Sequence, residues 1–492
     1  MCLFQPNSNY RQLSYYVLTV AIVVLSFFLY SSEFYPLLNS DDALNVLMAH
    51  YYRLPHDLYC WGQDRGGTLI PLISQLFMRI FHCPALLAVS LSNYLVLILG
   101  YIGLSSQIKS NYYKIVLAII WFLPFQRFID IVRFPIGVEY SLLGFSLFLI
   151  DKLLNGNNLK EPVKHALFIS VIVLFTLAVW VSDLAIVSIF LLILVSFLFF
   201  YKNNHKISKK ALFYLVIGAV SCFSFIKFAK SFATQKTEGY LSLNGVHEIH
   251  NALFLIQKSF WEVLTFSTNE IFVSIYAYLA IIFVFSFGLV VIKKKMFRRL
   301  VSNPWIVFFM ADFLVILTIL LLSSWVLANG MGRWYFVATY ISLSMAIVLA
   351  LDGMEMCNTS KILKGGVLLL ALIGAISPVY TMKYSNPKTL QPKADVVGEF
   401  KQLGEIGIIA DFWNSYVTSC PDPEHIKATP HDRSDVRSRE LVNMVFEEEK
   451  IYVIKDMWME TFPDTMEQFG HVLLKEGDPF RLGGCEVCKY KK

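Results

Sequence analysis

The chain has 492 residues, of which 56% are hydrophobic and only 16% charged, with a mean hydropathy of +0.57. Soluble domains carry about a quarter charged residues, so this balance excludes a string of soluble domains and makes lipid the solvent for most of the chain. The net charge of +6 and pI of about 8.7 belong, on so apolar a chain, to cytoplasmic loops rather than to a nucleic-acid surface.

A hydrocarbon core about 30 Å thick asks for roughly 17–25 apolar residues per helix, and about eleven such runs follow in chain order. They lie near Tyr15–Tyr30, Pro84–Leu104, Ile115–Phe128, Pro135–Ile150, His165–Trp180, Leu184–Phe200, Ala211–Phe228, Ile271–Ile292, Pro304–Leu327, Trp334–Leu351 and Ile362–Tyr380. The third is short, and the fifth and sixth form a tight hairpin. Only Arg11 precedes the first run and no small-x-small cleavage site follows it, so it reads as a retained span and not as a signal peptide.

Orientation follows from Lys and Arg. With the N-terminus cytoplasmic, Lys109 and Lys114, Lys152, Lys160 and Lys164, and Lys202, Lys206, Lys209 and Lys210 fall in inner loops. So do Lys293, Lys294, Lys295, Arg298 and Arg299, and then Lys361 and Lys364. An odd number of spans places the C-terminal tail outside, in an integral multi-pass membrane protein. There is no inverted symmetry between halves of the kind carriers show.

The first external segment, 31–83, opens with Asn39-Ser40-Asp41-Asp42 ahead of an amphipathic helix running to about Tyr52. Adjacent carboxylates near a membrane are costly unless solvated or used. Capping by Ser40 or Asp41 is the plain alternative, since acids suit a helix N-terminus. Next comes Tyr59-Cys60-Trp61-Gly62-Gln63-Asp64-Arg65-Gly66-Gly67. Its glycines permit a tight turn or close approach to a ligand. Gln63, Asp64 and Arg65 can bond hydroxyls or a phosphate, and Tyr59 and Trp61 offer stacking faces; an interfacial turn with an aromatic anchor is the alternative. Leu69–Phe81 reads as an amphipathic helix lying on the membrane surface.

In the turn between the third and fourth runs, Arg127, Asp130, Arg133 and Glu139 cluster, and Asp183 tips the next external turn. Each is either a cavity-lining group or an ordinary membrane-edge charge. In the second long external segment, 231–270, His247, Glu248 and His250 lack the H-E-x-x-H spacing that puts two imidazoles on one helix face, and they read as solvated residues. Arg333, with Trp334 and Tyr335, stands at the external mouth of the tenth run, where snorkelling is its alternative role. Charges inside spans are few, with Asp312 and Lys227 read as close to span ends.

Beyond about Met382 the chain becomes charged, and strand-like runs (Ile406–Phe412, Ile451–Ile454, Val472–Lys475) alternate with helix-like ones (Asp435–Glu449, Asp464–Phe469). This predicts a small α/β domain over 382–492, following a membrane domain over 1–381. Cys485 and Cys488 form a lone C-x-x-C without the second ligand pair that zinc asks for. Free thiols, or one structural disulfide involving Cys420, are expected.

A first span, an acidic pair opening a long external loop, a Trp61-Gly62-Gln63-x-x-Gly66-Gly67 string and a second surface helix together resemble the GT-C superfamily of glycosyltransferases. The nearest look is to its bacterial mannosyltransferase-like branch. Gly330-Met331-Gly332-Arg333-Trp334-Tyr335-Phe336 is similar to the family's Arg-Tyr-aromatic entry to a late helix, and Gly407–Tyr416 looks like the start of its external C-terminal domain. The Trp-Trp-Asp-Tyr-Gly string of oligosaccharyltransferases is missing. The resemblance implies an all-α polytopic membrane domain with a small extracytoplasmic α/β domain. It also implies an inverting hexosyl or pentosyl transferase that uses a polyprenyl-phosphate-linked sugar and a lipid, glycan or protein acceptor.

On that resemblance, Asp41 is the expected general base and Asp42 its orienting partner. Arg333, with Arg65 and Arg133, would bind the donor phosphate. Trp61, Gln63, Asp64, Tyr335, Glu139 and Asp183 would meet substrate. No metal or other cofactor is expected. A flippase or carrier of lipid-linked sugars, and a polysaccharide ligase or polymerase, are the competing readings.

Overall fold

The computed structural model describes residues 8–492 apart from 35–37, 134, 157–158, 205–208, 234, 236–241, 269, 294, 355–359, 385–397 and 457. Lys206 and Lys294, counted above for orientation, lie outside the described residues.

Helix falls on every predicted apolar run: Ser8–Tyr30, Ala85–Ser105, Asn111–Phe122, Pro135–Asn155, Glu161–Val181, Ala185–Asn204, Lys209–Lys230, Ile271–Lys293, Pro304–Leu322, Val337–Gly353 and Ser360–Tyr384. Among the described residues, eight helices are long and apolar enough to cross a membrane, fewer than the eleven expected. Asn111–Phe122 stops short because Pro124 follows, and a proline excludes the helical conformation at the residue before it. A 3₁₀ turn, Gln126–Ile131, takes up the rest of that run. Ala185–Phe199 is likewise a shorter apolar stretch. Pro135–Asn155 carries Glu139, Asp151 and Lys152. The spans turn large apolar side chains such as Phe223, Phe285 and Ile292 outward, surface that suits lipid and not water. The protein is an integral, multi-pass membrane protein.

The chain divides into two compact units. The first comprises Met1–Ser26, Leu95–Ile226 and Glu238–Tyr384; the second comprises Phe27–Tyr94, Lys227–Thr237 and Ser385–Lys492. A single boundary at 381–382 was expected, whereas the second unit gathers three stretches, joining the first external segment to the C-terminal domain.

Within the first unit, small residues let helices approach. A Cβ added at Gly103 would sit 2.4 Å from the Gly144 carbonyl, so Ala85–Ser105 and Pro135–Asn155 meet backbone to backbone there. The first external segment, in the second unit, folds as two helices, Ser40–His50 and Leu69–Phe81, close to the predicted bounds.

The C-terminal domain is a seven-stranded sheet built from β1 (Ile406–Ala410), β2 (Ile426–Pro430), β3 (Ile451–Lys455), β4 (Thr465–Gln468), β5 (His471–Lys475), β6 (Phe480–Leu482) and β7 (Cys485–Lys491). The strand order is β2-β1-β3-β7-β5-β4, with β6 paired to β7. β1 pairs parallel with β2 and with β3, and the remaining ladders are antiparallel. Helices Phe412–Ser419 and Arg439–Glu447 supply the two crossovers. Side chains alternate across the sheet: Ile408, Ala428 and Ile454 fill one face, and Ile409, Val453 and Tyr490 the other.

Two expectations change here. Asp464–Phe469 read as helix-like but forms β4, because Phe469 (φ 52°) and Gly470 (φ 82°) close a two-residue hairpin to β5. Two positive φ values at such a loop match the twist of antiparallel strands. Cys485 and Cys488 sit three apart on β7 and therefore point to opposite faces, Cys485 against one core and Cys488 in the other. They cannot share a ligand. The six described cysteines, Cys420 among them, are free.

Candidate functional site

The acidic pair separates cleanly. Asn39 caps the Ser40–His50 helix, its side chain accepting from the Asp42 backbone N–H at 3.0 Å. Asp42 returns the bond, its carboxylate accepting from the Asn39 N–H at 3.4 Å. This is a reciprocal capping box, and Asp42 is only 4% exposed within it. Asp41, one position earlier, stays half-buried outside that box. Neither Ser40 nor Asp41 is the cap: Ser40 Oγ donates to the Phe412 carbonyl instead. Asn39 was the sequence signal for this, since an Asn three residues before an acid is a common helix start.

The Tyr59–Gly67 string is a tight turn closed by a Tyr59–Gly67 bridge and by the Cys60 N–H donating to the Gly66 carbonyl at 3.0 Å. Gly62 and Gly66 take positive φ values of 70° and 73°. Asp57 holds the base of the turn. Its carboxylate accepts from Trp61 Nε1 at 2.9 Å and from the Arg53 N–H at 2.6 Å, and its carbonyl from Thr68 Oγ1 at 2.5 Å. Trp61 is 9% exposed and packs with Leu47, Tyr416, Val417 and Leu441. It anchors the turn in a core and presents no open stacking face. Gln63 and Arg65 are half-buried, with Arg65 Nε donating to Gln63 Oε1 at 3.3 Å, and Asp64 lies between them.

The Cys60 thiol reads the charges around this turn. Burial pushes it up to about 11, with Asp41 adding to the rise, and the Gln63 contact, Arg437 and Arg65 pull it down. Asp41, Arg65 and Arg437 therefore all bear electrostatically on this one thiol. The C-terminal domain supplies Arg437, which no motif singled out. Its role arises only because Tyr416, Val417 and Leu441 share a core with the Ser40–His50 helix.

In the first unit, Arg333 opens the 3₁₀ turn Arg333–Phe336 that leads into Val337–Gly353. Arg333 Nη1 meets the Asp130 carboxylate at 2.6 Å and the Arg127 carbonyl at 3.1 Å. Arg127 pairs in turn with Glu270 at 2.6 Å. The turn cluster read from the sequence is thus partly brought together, as an ion-paired chain. Arg133 and Asp183 are half-buried in their turns. Tyr335 OH accepts from Trp325 Nε1 at 3.0 Å. Glu139 is fully buried within its helix.

Asp312 differs from its expected place near a span end. It lies in the middle of Pro304–Leu322 and is fully buried. Its carboxylate accepts from Tyr140 OH at 2.5 Å, Ser342 Oγ at 2.5 Å and Ser188 Oγ at 2.6 Å. Four helices meet on this one side chain. Counting along 304–322 alone would have found its depth, but not its partners.

At the carboxyl ends of the adjacent parallel strands β1 and β3, Asp411 and Asp456 face each other across Asn414, whose N–H donates to Asp411 at 2.7 Å and whose amide donates to Asp456. Burial, then the Asp456 carboxylate, raises the Asp411 carboxyl to about 7, against about 3.9 in an unfolded chain. Between those values the folded state holds a proton that the unfolded state has released, so stability from this group falls as pH rises through the window. Asp456→Asn is expected to flatten that fall: the unfolding midpoint of the full chain should change less between about pH 5 and 7 than in wild type. Equal slopes would show that the two carboxyls act independently.

No protein-family model matches the chain, and no curated protein matches it. Among solved structures, the chain is similar to ArnT from Cupriavidus metallidurans bound to undecaprenyl phosphate, at 10% identity and a TM-score of 0.45 over 97% of this chain and 98% of that one. It is similar to the apo state of the same protein at 10% identity and a TM-score of 0.41, over the same shares. It is also similar to the Archaeoglobus fulgidus oligosaccharyltransferase in the apo form, at 12% identity and a TM-score of 0.39, over 90% of this chain and 69% of that one. Similarity at this level assigns the chain to no family.

Proposed function

We propose that the protein is a membrane glycosyltransferase that moves a sugar from a polyprenyl-phosphate donor to an acceptor hydroxyl at the extracytoplasmic face. The observation that carries this reading is the division of labour in the acidic pair. Asp42 is consumed by the helix cap, whereas Asp41 stays half-buried outside that box and, with Arg65 and Arg437, bears on the charge of the Cys60 thiol. A general base beside cations suits a reaction that takes a proton from a hydroxyl and expels an anion.

In the proposed step the acceptor oxygen attacks the anomeric carbon and passes its proton to Asp41. The bond from that carbon to the phosphate oxygen breaks, and polyprenyl phosphate leaves with the electron pair. A single displacement of this kind inverts the anomeric configuration. Asp42 fixes the helix that presents Asp41. Arg65 faces the developing phosphate charge with a two-pronged donor, Gln63 and Asp64 bind sugar hydroxyls, and buried Trp61 holds the turn. The resemblance also assigns Arg133 to phosphate and Tyr335, Glu139 and Asp183 to substrate; of these Glu139, fully buried in its helix, offers a substrate no surface.

For Arg333 a phosphate role and a purely structural ion pair with Asp130 predict different outcomes. A lysine retains a point charge for Asp130 but not the planar fork. Arg333→Lys is therefore expected to weaken donor binding and turnover by about tenfold, with little loss of stability. Wild-type values for both would leave Arg333 only its ion pair.

Purified protein incubated with polyprenyl-phosphate sugars should release polyprenyl phosphate only when an acceptor is present. No release with any sugar would remove the transferase reading. The rival carrier reading gains one observation, a carboxylate at mid-span. Three hydroxyl donors already satisfy Asp312, however, which is the pattern of a structural pin and not of a vacant relay.

A further inference from the structure

Arg437 is held in an unusual setting. It approaches the Gly62 turn so closely that a Cβ on Gly62 would lie 3.1 Å from Arg437 Cδ and 3.2 Å from its Cα. A side chain at position 62 is thus opposed both by this contact and by the positive φ. The Arg437 N–H donates to Tyr416 OH at 2.9 Å, and the guanidinium lies 5.4 Å over the Phe412 ring. Yet Arg437 Nε is buried and has no hydrogen-bond partner. A buried donor on a charged group is costly to leave unsatisfied, and here the fold has spent a glycine and two aromatic contacts to put it there.

Arg65 belongs to the same turn, and both guanidiniums act on the Cys60 thiol. Two guanidiniums around one glycine turn offer forked donors to a tetrahedral oxyanion, the geometry that phosphate oxygens match best. Two residues beyond the turn, the Leu69–Phe81 helix exposes Leu76, Ile80 and Phe81. Such a face rests in a lipid headgroup layer, which sets the turn at headgroup depth.

We propose that Arg437 and Arg65 form a receptor for the phosphate of a membrane lipid, with Arg437 Nε donating to a phosphate oxygen over the Gly62 turn. This rests on the reading above in taking the lipid to be a polyprenyl phosphate. The C-terminal domain then contributes directly to the binding site, and Arg437 is a binding residue in its own right.

The test uses the full chain in lipid nanodiscs and measures binding of a polyprenyl monophosphate separately from sugar release. Arg437→Gln is expected to weaken binding by roughly 10–100-fold, with Arg437→Lys between it and wild type. Wild-type affinity in a folded Arg437→Gln protein would overturn the proposal. Should that variant fail to fold, wild-type protein gives the answer: a dicarbonyl reagent, mapped by peptide mass, should modify Arg437 more slowly when polyprenyl phosphate is present, and unchanged modification overturns the proposal. Inorganic phosphate at millimolar concentration should compete weakly; if it displaces the lipid fully, the site takes free phosphate and the lipid assignment fails. Arg437-dependent binding with no sugar released by any donor would leave this receptor standing and remove the transferase reading. Sugar release with binding indifferent to Arg437 would do the reverse.

Discussion

Asp41→Asn is expected to lower sugar transfer by roughly 10²–10⁴-fold with the fold intact. The substitution keeps size and hydrogen-bonding shape but removes the carboxylate proposed to take the acceptor's proton. It should leave the helix start undisturbed, because the Asn39–Asp42 box does the capping. Asp42→Ala should show the opposite pattern: a loss of about 1 kcal/mol in stability from the broken cap and a smaller loss of rate through poorer placement of Asp41. Turnover at several donor concentrations, with a thermal midpoint for each variant, separates the two. A larger rate loss in Asp42→Ala than in Asp41→Asn would exchange their roles, and near-normal turnover in both would make the carboxylates helix-start residues only.

Asp312→Ala is expected to destabilise the first unit by about 2–4 kcal/mol. It leaves the hydroxyls of Tyr140, Ser188 and Ser342 without their shared acceptor, and each orphaned buried donor costs roughly 1–3 kcal/mol in water-soluble proteins. Hydrogen bonds between membrane helices contribute less, about 0.6 kcal/mol on average, so the sum lies at the low end. Asp312→Asn retains one acceptor oxygen and should lose about half as much. Unfolding of detergent-solubilised protein measures both. A difference from wild type below about 0.5 kcal/mol would show that the four helices do not depend on this residue. Unchanged stability with abolished function would instead make Asp312 a working carboxylate and revive the carrier reading.

The sequence disclosed those features that depend on local pattern. Every apolar run became helix, and Ser40–His50 and Leu69–Phe81 fell close to their expected bounds, because periodicity and length decide them. One run was drawn too long where local chemistry intervenes: Pro124 ends a helix that hydropathy alone would extend. Asp464–Phe469 failed for a similar reason, since its polar pattern fits a helix while the Phe469-Gly470 turn dictates a hairpin. At the site, the residue types of the first loop were legible as a turn rich in donors. Which acid caps and which is left over required the capping box in three dimensions. Arg437 was beyond reach, because nothing within twenty residues of it in sequence hints at Gly62. Asp312 was misplaced by reading its helix as running to Leu327, although the partners that fix its role come from three other helices.

That the second unit is assembled from three stretches has a consequence for how the protein is made. The Ser40–His50 helix and Trp61 emerge early from the ribosome, but the Tyr416, Val417 and Leu441 side chains that complete their core arrive only after all the membrane helices have been synthesised. At roughly 5–20 residues per second the interval is on the order of tens of seconds, during which one apolar flank of the early helix has no partner. The early helix must therefore be shielded, by the bilayer surface or by a chaperone, until the last hundred or so residues have been made. Synthesis interrupted before Ser385 leaves a chain with its spans formed and its first loop unfinished, and such a chain is a natural target for membrane quality-control proteases.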